Sequence, residues 1–214
     1  PGLYTQKQTV IFPKIITFGS ECKTERKPSR SVRSPGLAFC TSGPSNDFLR
    51  GMEIMLNIDD GYTQQCAATI QSIIRNNPGE TFHFHLVSLG LTPENEAILR
   101  AIAERAGHSF EVYRVDPASV ENLPNLQGHR YISAATYLRL SMAELLPQPF
   151  DKVIYLDCDL LVLAPLKPLW NTPLEGYALA AVEDAPEPGS QHRLGYPEEF
   201  PYFNAGVMLV NLKY

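Results

Sequence analysis

Four apolar residues in a row, Val153-Ile154-Tyr155-Leu156, stop on Asp157-Cys158-Asp159, and this run constrains the fold more than any other stretch of the chain. β-Branched and aromatic side chains with no polar position between them suit a central, buried strand. Leu160 to Leu163 is apolar again, which predicts that the chain stays inside the protein beyond the aspartates. In extended geometry residues i and i+2 share a side, so Asp157 and Asp159 are expected to project together and Cys158 away from them. They would stand about 6.6 Å apart, two rises of roughly 3.3 Å. At that distance two ionised carboxylates repel by about 2.5 kcal/mol at an effective dielectric of ~20, which asks for a cation, a proton or water beside them. Oxygen ligands favour Mg²⁺, Mn²⁺ or Ca²⁺. For the triplet alone, an edge turn with two solvated aspartates is the alternative.

The rest of the chain from Met52 repeats strand and helix. Glu53 to Ile58 reads as a first strand running into Asp59-Asp60-Gly61-Tyr62. Tyr62 to Asn77 has helical apolar spacing (Ala67, Ile70, Ile73, Ile74) and is stopped by Pro78-Gly79. Phe82 to Ser88 alternates as a strand, and Thr92-Pro93 supplies an N-cap and a first-turn proline for a helix ending near Gly107. Phe110 to Val115 is a third strand. Ser133 is expected to cap a helix with a stripe of Leu138, Met142, Leu145 and Leu146, ended by Pro147. Tyr177 to Val182 and Ala205 to Leu212 complete the strands. This order predicts an α/β fold, a doubly wound and mostly parallel sheet whose ligands sit beyond the carboxyl ends of the strands.

Charge divides the chain. Residues 1–51 carry eight basic and three acidic side chains, so of the formal net charge of −5 the head accounts for +5 and the remainder for −10. An acidic body argues against a nucleic-acid surface there. The head lacks sustained periodicity and is read as an irregular basic leader, disordered or foreign to the folded unit, with a polyanion- or membrane-surface tail as the functional alternative. No stretch has the eighteen or so uninterrupted apolar residues of a membrane span, so a soluble protein is expected. Four scattered cysteines (Cys22, Cys40, Cys66, Cys158) without a Cys-x-x-Cys point to a reducing compartment.

Several residues are candidates for chemistry. Asp59 follows the first strand, where a carboxylate can address a base or ribose, and Tyr62 could stack on a nucleobase; a capped βα turn is the plain alternative. Arg139 sits one position off its helix stripe and could aim at a phosphate or an aspartate, or simply snorkel at the surface. Asp184 could reach a sugar hydroxyl or be an ordinary loop acid. Phe203-Asn204-Ala205-Gly206 has small residues that let backbone approach a ligand, with the Asn204 amide to donate and accept. His83 and His85 alternate along one strand and read as a half-exposed face more readily than as a metal pair. Cys158 reads as a small buried hydrophobe.

Together, Ile58-Asp59-Asp60-Gly61-Tyr62, Thr136-Tyr137-Leu138-Arg139-Leu140, Lys152 to Asp159, Pro168-Leu169-Trp170 and Tyr202-Phe203-Asn204-Ala205-Gly206-Val207 resemble the family-8 glycosyltransferases in order and spacing. These are retaining enzymes that include bacterial lipopolysaccharide galactosyl- and glucosyltransferases. The resemblance covers Met52 to Tyr214 and leaves residues 1–51 aside. It implies a GT-A fold, UDP-glucose or UDP-galactose as donor, Mn²⁺ (or Mg²⁺), and a glycan acceptor such as a lipopolysaccharide core. It also implies a cytoplasmic site, at the inner face of the membrane, with any membrane association peripheral. By the same resemblance Asp157 and Asp159 match metal ligands, with Cys158 between them in the donor-binding motif. Asp59 and Tyr62 match uridine contacts, and Arg139, Asp184 and Asn204 match positions around the diphosphate and donor sugar. Some members carry Asn at the position of Gly61. Members also continue past the Asn204 strand, into a segment bearing an active-site Gln, a third metal ligand (a His), a Lys for the diphosphate and acceptor contacts; His192 lies too early to be that ligand. The expectation is a chain truncated at its C-terminus. The competing expectations are a donor-binding fragment without turnover and, unrelated to it, a Ca²⁺-stabilised interaction domain.

Overall fold

A computed structural model describes residues 16–19, 51–116, 118, 134–146, 150–184 and 202–214. Ser133, Pro147 and His192, and most of the basic head, lie outside them. Seven strands form one sheet: β1 (Ile16–Gly19), β2 (Met52–Ile58), β3 (Phe82–Ser88), β4 (Ser109–Arg114), β5 (Lys152–Asp157), β6 (Tyr177–Glu183) and β7 (Phe203–Asn211). Their spatial order is β1-β6-β7-β5-β2-β3-β4. Strands β5, β2, β3 and β4 pair in parallel, while β7 enters antiparallel between β5 and β6, and β1 pairs antiparallel with β6. β1 is the one described element of the first 50 residues, where the sequence predicts no regular structure.

The central strands are buried at nearly every position because both faces are covered. On one face Ile54, Leu56, Phe82, Phe84, Ile154 and Leu156 pack with Ile70 and Ile73 of α1 (Thr63–Asn76) and Leu99 of α2 (Pro93–Arg105). On the other, Met55, Val87, Val153, Tyr155 and Met208 pack with Leu138, Met142 and Leu146. Leu138 lies in a 3₁₀ segment, Ala134–Ser141, that continues into the short α3 (Met142–Leu145) with Met142, and Leu146 follows directly after it, where the stripe predicts a single α-helix. All three nevertheless pack into the cluster on this face of the sheet.

Two further expectations are corrected. His83 and His85 are 8% and 6% exposed, so theirs is not a half-exposed face. His85 Nε2 lies 2.6 Å from Glu53 Oε2 and its Nδ1 3.0 Å from the Tyr113 hydroxyl, while Phe150 stacks on its ring; His83 pairs with Ser109. Polar residues on this face are buried because they satisfy one another. Beyond β5, Val162 is buried but Leu161 and Leu163 are each 52% exposed, so the run after the aspartates lies along the surface.

Candidate functional site

The register places Asn57 opposite Asp157 on adjacent parallel strands, so Asp59 and Asp159 leave the sheet at the same edge. That edge is the carboxyl end of β2 and β5, where an open α/β sheet binds its ligands. The strand ends at Asp157, and Cys158 and Asp159 lie in a turn. The simple alternation expected for an extended Asp-x-Asp therefore does not apply. Asp157 keeps the strand's direction, and Asp159 is exposed.

Asp157 is held by its surroundings. Its Oδ1 accepts a 2.8 Å hydrogen bond from the Tyr155 hydroxyl and pairs with Arg139 Nη2 at 3.1 Å. The Arg139 guanidinium also donates to the Ala205 carbonyl at 2.8 Å and lies over the Tyr155 ring, 4.8 Å from its centroid. A snorkelling role for Arg139 is thus excluded: its side chain is 16% exposed and braces a carboxylate that is itself 35% exposed. Burial, and then the Asp157 charge, push the Tyr155 phenol well above its ordinary range, so it stays protonated and donates.

Strand β7 closes the other side. A Cβ on Gly206 would fall 2.7 Å from Asp157 Oδ2 and 3.4 Å from its Cγ, closer than a side chain permits. The small residue lets the backbone approach the carboxylate. Asn204 bridges outward: its Oδ1 accepts from the Gly206 amide at 2.9 Å, and its Nδ2 donates to Asp184 Oδ2 at 3.2 Å. Asp184, Asn204, Gly206, Asp157, Tyr155 and Arg139 therefore form one connected cluster.

Burial, and then the neighbouring Asp159, Asp157 and Asp59, push the Cys158 thiol up to about 12, which keeps it protonated and apolar in character. Cys158 packs against the same core as Tyr62, whose ring lies partly buried at the edge of that cluster. The second acid of the Asp59-Asp60 pair has a structural task. Asp60 Oδ1 accepts from the Thr92 amide (2.8 Å), the Thr92 hydroxyl (3.0 Å) and Asn95 Nδ2 (2.9 Å), tying the βα turn to the start of α2 and holding its carboxyl below the ordinary value.

One set of contributors was not foreseen. Polar side chains of α1 hold the segment that follows the aspartates: Thr69 Oγ1 accepts from the Leu160 amide (3.1 Å), Ser72 Oγ from the Val162 amide (2.9 Å) and Asn77 Oδ1 from the Leu166 amide (2.6 Å). Their trace in the sequence is two polar residues, Thr69 and Ser72, among the buried positions of α1, and an asparagine at its C-cap. A cavity between α1 and α2 is lined by Gln71, Ile98, Ile102 and Arg105, with no carboxylate in its lining.

Residues 53–214 match the model of glycosyl transferase family 8. The chain belongs to this family. It is 26% identical over 164 residues to a lipopolysaccharide 1,3-galactosyltransferase of Salmonella typhimurium, covering 74% of this chain and 48% of that one. It is 28% identical over 169 residues to a lipopolysaccharide 1,2-glucosyltransferase of Escherichia coli K12, covering 76% and 48%. The crystal structure of galactosyltransferase LgtC, in complex with donor and acceptor sugar analogues, superposes with a TM-score of 0.71 at 33% identity, over 76% of this chain and 58% of that one. The chain thus spans about half the length of the curated relatives it matches. The likeness to that structure gives the chain GT-A architecture. Among the described residues no helix is long and apolar enough to cross a membrane.

Asp157 and Asp159 offer oxygen donors suited to a hard divalent ion. Among the described residues no group of three or more His, Cys, Asp or Glu side chains is placed to hold a metal. Two carboxylates fit an ion that completes its shell with substrate phosphates and water.

Proposed function

We propose that the chain forms the donor site of a retaining hexosyltransferase that moves glucose or galactose from a UDP-sugar to a glycan hydroxyl, such as that of a lipopolysaccharide core. The observation that carries this reading is the Asp157 carboxylate, pinned at the end of the central strand in a family-8 chain. Asp157 and Asp159 would hold Mn²⁺ or Mg²⁺. Bound there, a divalent cation supplies charge neutralisation for the departing nucleoside diphosphate. Asp59 and Tyr62, at the same sheet edge, receive the uridine, while Asp184 and Asn204 face the donor hexose from β6 and β7. Arg139 acts on the donor chiefly by fixing Asp157, since its guanidinium already serves that carboxylate and the Ala205 carbonyl. Retention requires the acceptor hydroxyl to attack on the face the diphosphate leaves, and the opposite anomer in the product would contradict it.

A second reading is favoured by the donor set, two carboxylates with no third ligand among the described residues. The chain then binds UDP and metal without turnover. Calorimetric titration of UDP into the 214-residue chain, with and without Mn²⁺, tests the shared premise. Binding that needs Mn²⁺ and disappears in Asp157→Ala/Asp159→Ala supports the donor site, and metal-independent binding refutes it. Hexose transfer from a UDP-sugar to a lipopolysaccharide acceptor then separates the two readings.

A further inference from the structure

We propose that Thr69 is a positioning residue for the metal site, its hydroxyl fixing the turn that carries Asp159 and with it the second carboxylate. The inference rests on the metal-site reading above and deepens it. The two acids are held in different ways. Asp157 is fixed through its own side chain, by the Tyr155 hydroxyl and by Arg139. Asp159 is exposed and lies in a turn, so its carboxylate takes its place from the backbone that carries it.

That backbone is gripped from α1. Thr69 is fully buried, and its Oγ1 lies 2.8 Å from the Cys158 carbonyl oxygen and accepts from the Leu160 amide at 3.1 Å. The carbonyl belongs to the peptide plane before the Asp159 Cα and the amide to the plane after it. Because each peptide is planar, only φ and ψ of Asp159 can turn one plane against the other. One atom bonded to both planes restrains both angles.

The placement of this hydroxyl is unusual for a helix. A threonine there commonly bonds the carbonyl four residues back. Thr69 does approach Gln65 O, at 3.1 Å, but the carbonyls of Cys158 and Leu160 are nearer, each at 2.8 Å. Its single proton has three acceptors to choose from, and two of them lie in the chain beside Asp159. A small divalent ion demands near-ideal geometry of its oxygen ligands, so two carboxylates serve it only when their separation is held. Contacts that orient a ligand from outside the coordination shell are typically worth about 10–100-fold in metal affinity. Thr69 acts in this way through Asp159, without touching the ion.

The test is direct Mn²⁺ binding to the full 214-residue chain in the presence of UDP, read from the paramagnetic resonance signal of the free ion. Thr69→Val keeps the shape and removes the hydroxyl, while Thr69→Ser keeps the hydroxyl and removes the methyl. The expected result is Mn²⁺ affinity about tenfold weaker in Thr69→Val and restored in Thr69→Ser. Glu53→Ala, which strips His85 of its partner away from the acids, is the control for general loosening and is expected to leave the affinity unchanged. Wild-type affinity in Thr69→Val would overturn the proposal, as would a Thr69→Ser as weak as Thr69→Val, or an equal loss in Glu53→Ala. Should Thr69→Val fail to fold, Thr69→Ala removes the same hydroxyl and supplies the comparison. A wild-type chain that binds no Mn²⁺ would sink the metal-site reading and this inference with it. Wild-type binding that loss of the hydroxyl leaves unchanged would sink only the inference.

Discussion

Gly206→Ala tests whether the cluster around Asp157 is as tight as its distances imply. The new methyl would sit 2.7 Å from Asp157 Oδ2 and 3.1 Å from Asn204 Oδ1. A flexible carboxylate would swing aside at little cost, but this one is tied by the Tyr155 hydroxyl and by Arg139. Relief must come from breaking those bonds or displacing β7 from β5. Overpacking of this kind costs about 1–3 kcal/mol, against which alanine regains about 0.5–1 kcal/mol of backbone entropy relative to glycine. The net expectation is a loss of about 1–2 kcal/mol, or a fall in Tm of about 2–8 °C for a protein of this size. In an Asp157→Ala background the carboxylate is gone and the methyl has room, so the same substitution becomes neutral or slightly stabilising. Urea denaturation of wild type, both single variants and the double variant closes the cycle, with an expected coupling of about 1.5–3 kcal/mol. An equal cost of Gly206→Ala in both backgrounds would show that the strain lies elsewhere and that Asp157 is not pinned as described.

Glu53→Ala strips the buried His85 of its Nε2 partner and is expected to cost about 2–4 kcal/mol in urea denaturation; a loss below about 1 kcal/mol would mean the pair is dispensable. Asp60 has a carboxyl held below the ordinary value of 3.8, so its contribution is present above that pH and is lost as pH falls through the depressed folded value. Wild type should therefore lose stability more steeply than Asp60→Asn on acidification below about pH 4, and parallel acid limbs would refute the assignment. Thr69→Val removes the acceptor for the Leu160 amide and is expected to cost about 1–2 kcal/mol. Hydrogen exchange should show the loss of protection concentrated at Leu160, and protection that survives would count against the contact.

The legible part of the fold was the part governed by local periodicity. An apolar run closed by a turn marks β5, alternation marks β3, and a mostly apolar run into Asp59-Asp60-Gly61 marks β2. Thr92-Pro93 announces α2, and the Thr92 side chain does accept from the Asn95 amide. What periodicity cannot encode is what lies on top of each face. His83 and His85 look half exposed in a strand pattern, yet Glu53, Ser109 and Tyr113 from neighbouring strands satisfy them and allow burial. Leu160 to Leu163 looks internal, yet α1 binds its backbone and leaves alternate side chains outside.

The sequence by itself determined the strand order along the chain, the acidic edge at Asp59 and Asp157, and membership of a glycosyltransferase family, because spacing and residue type survive without coordinates. The tertiary structure decided what those acids are attached to. Arg139, Tyr155 and Gly206 come from a 3₁₀ segment, a central strand and an antiparallel strand far apart in the chain, and they converge on Asp157 only because β7 inserts beside β5. Which oxygen of a carboxylate is occupied depends on donors brought together by packing, and no local pattern carries that information.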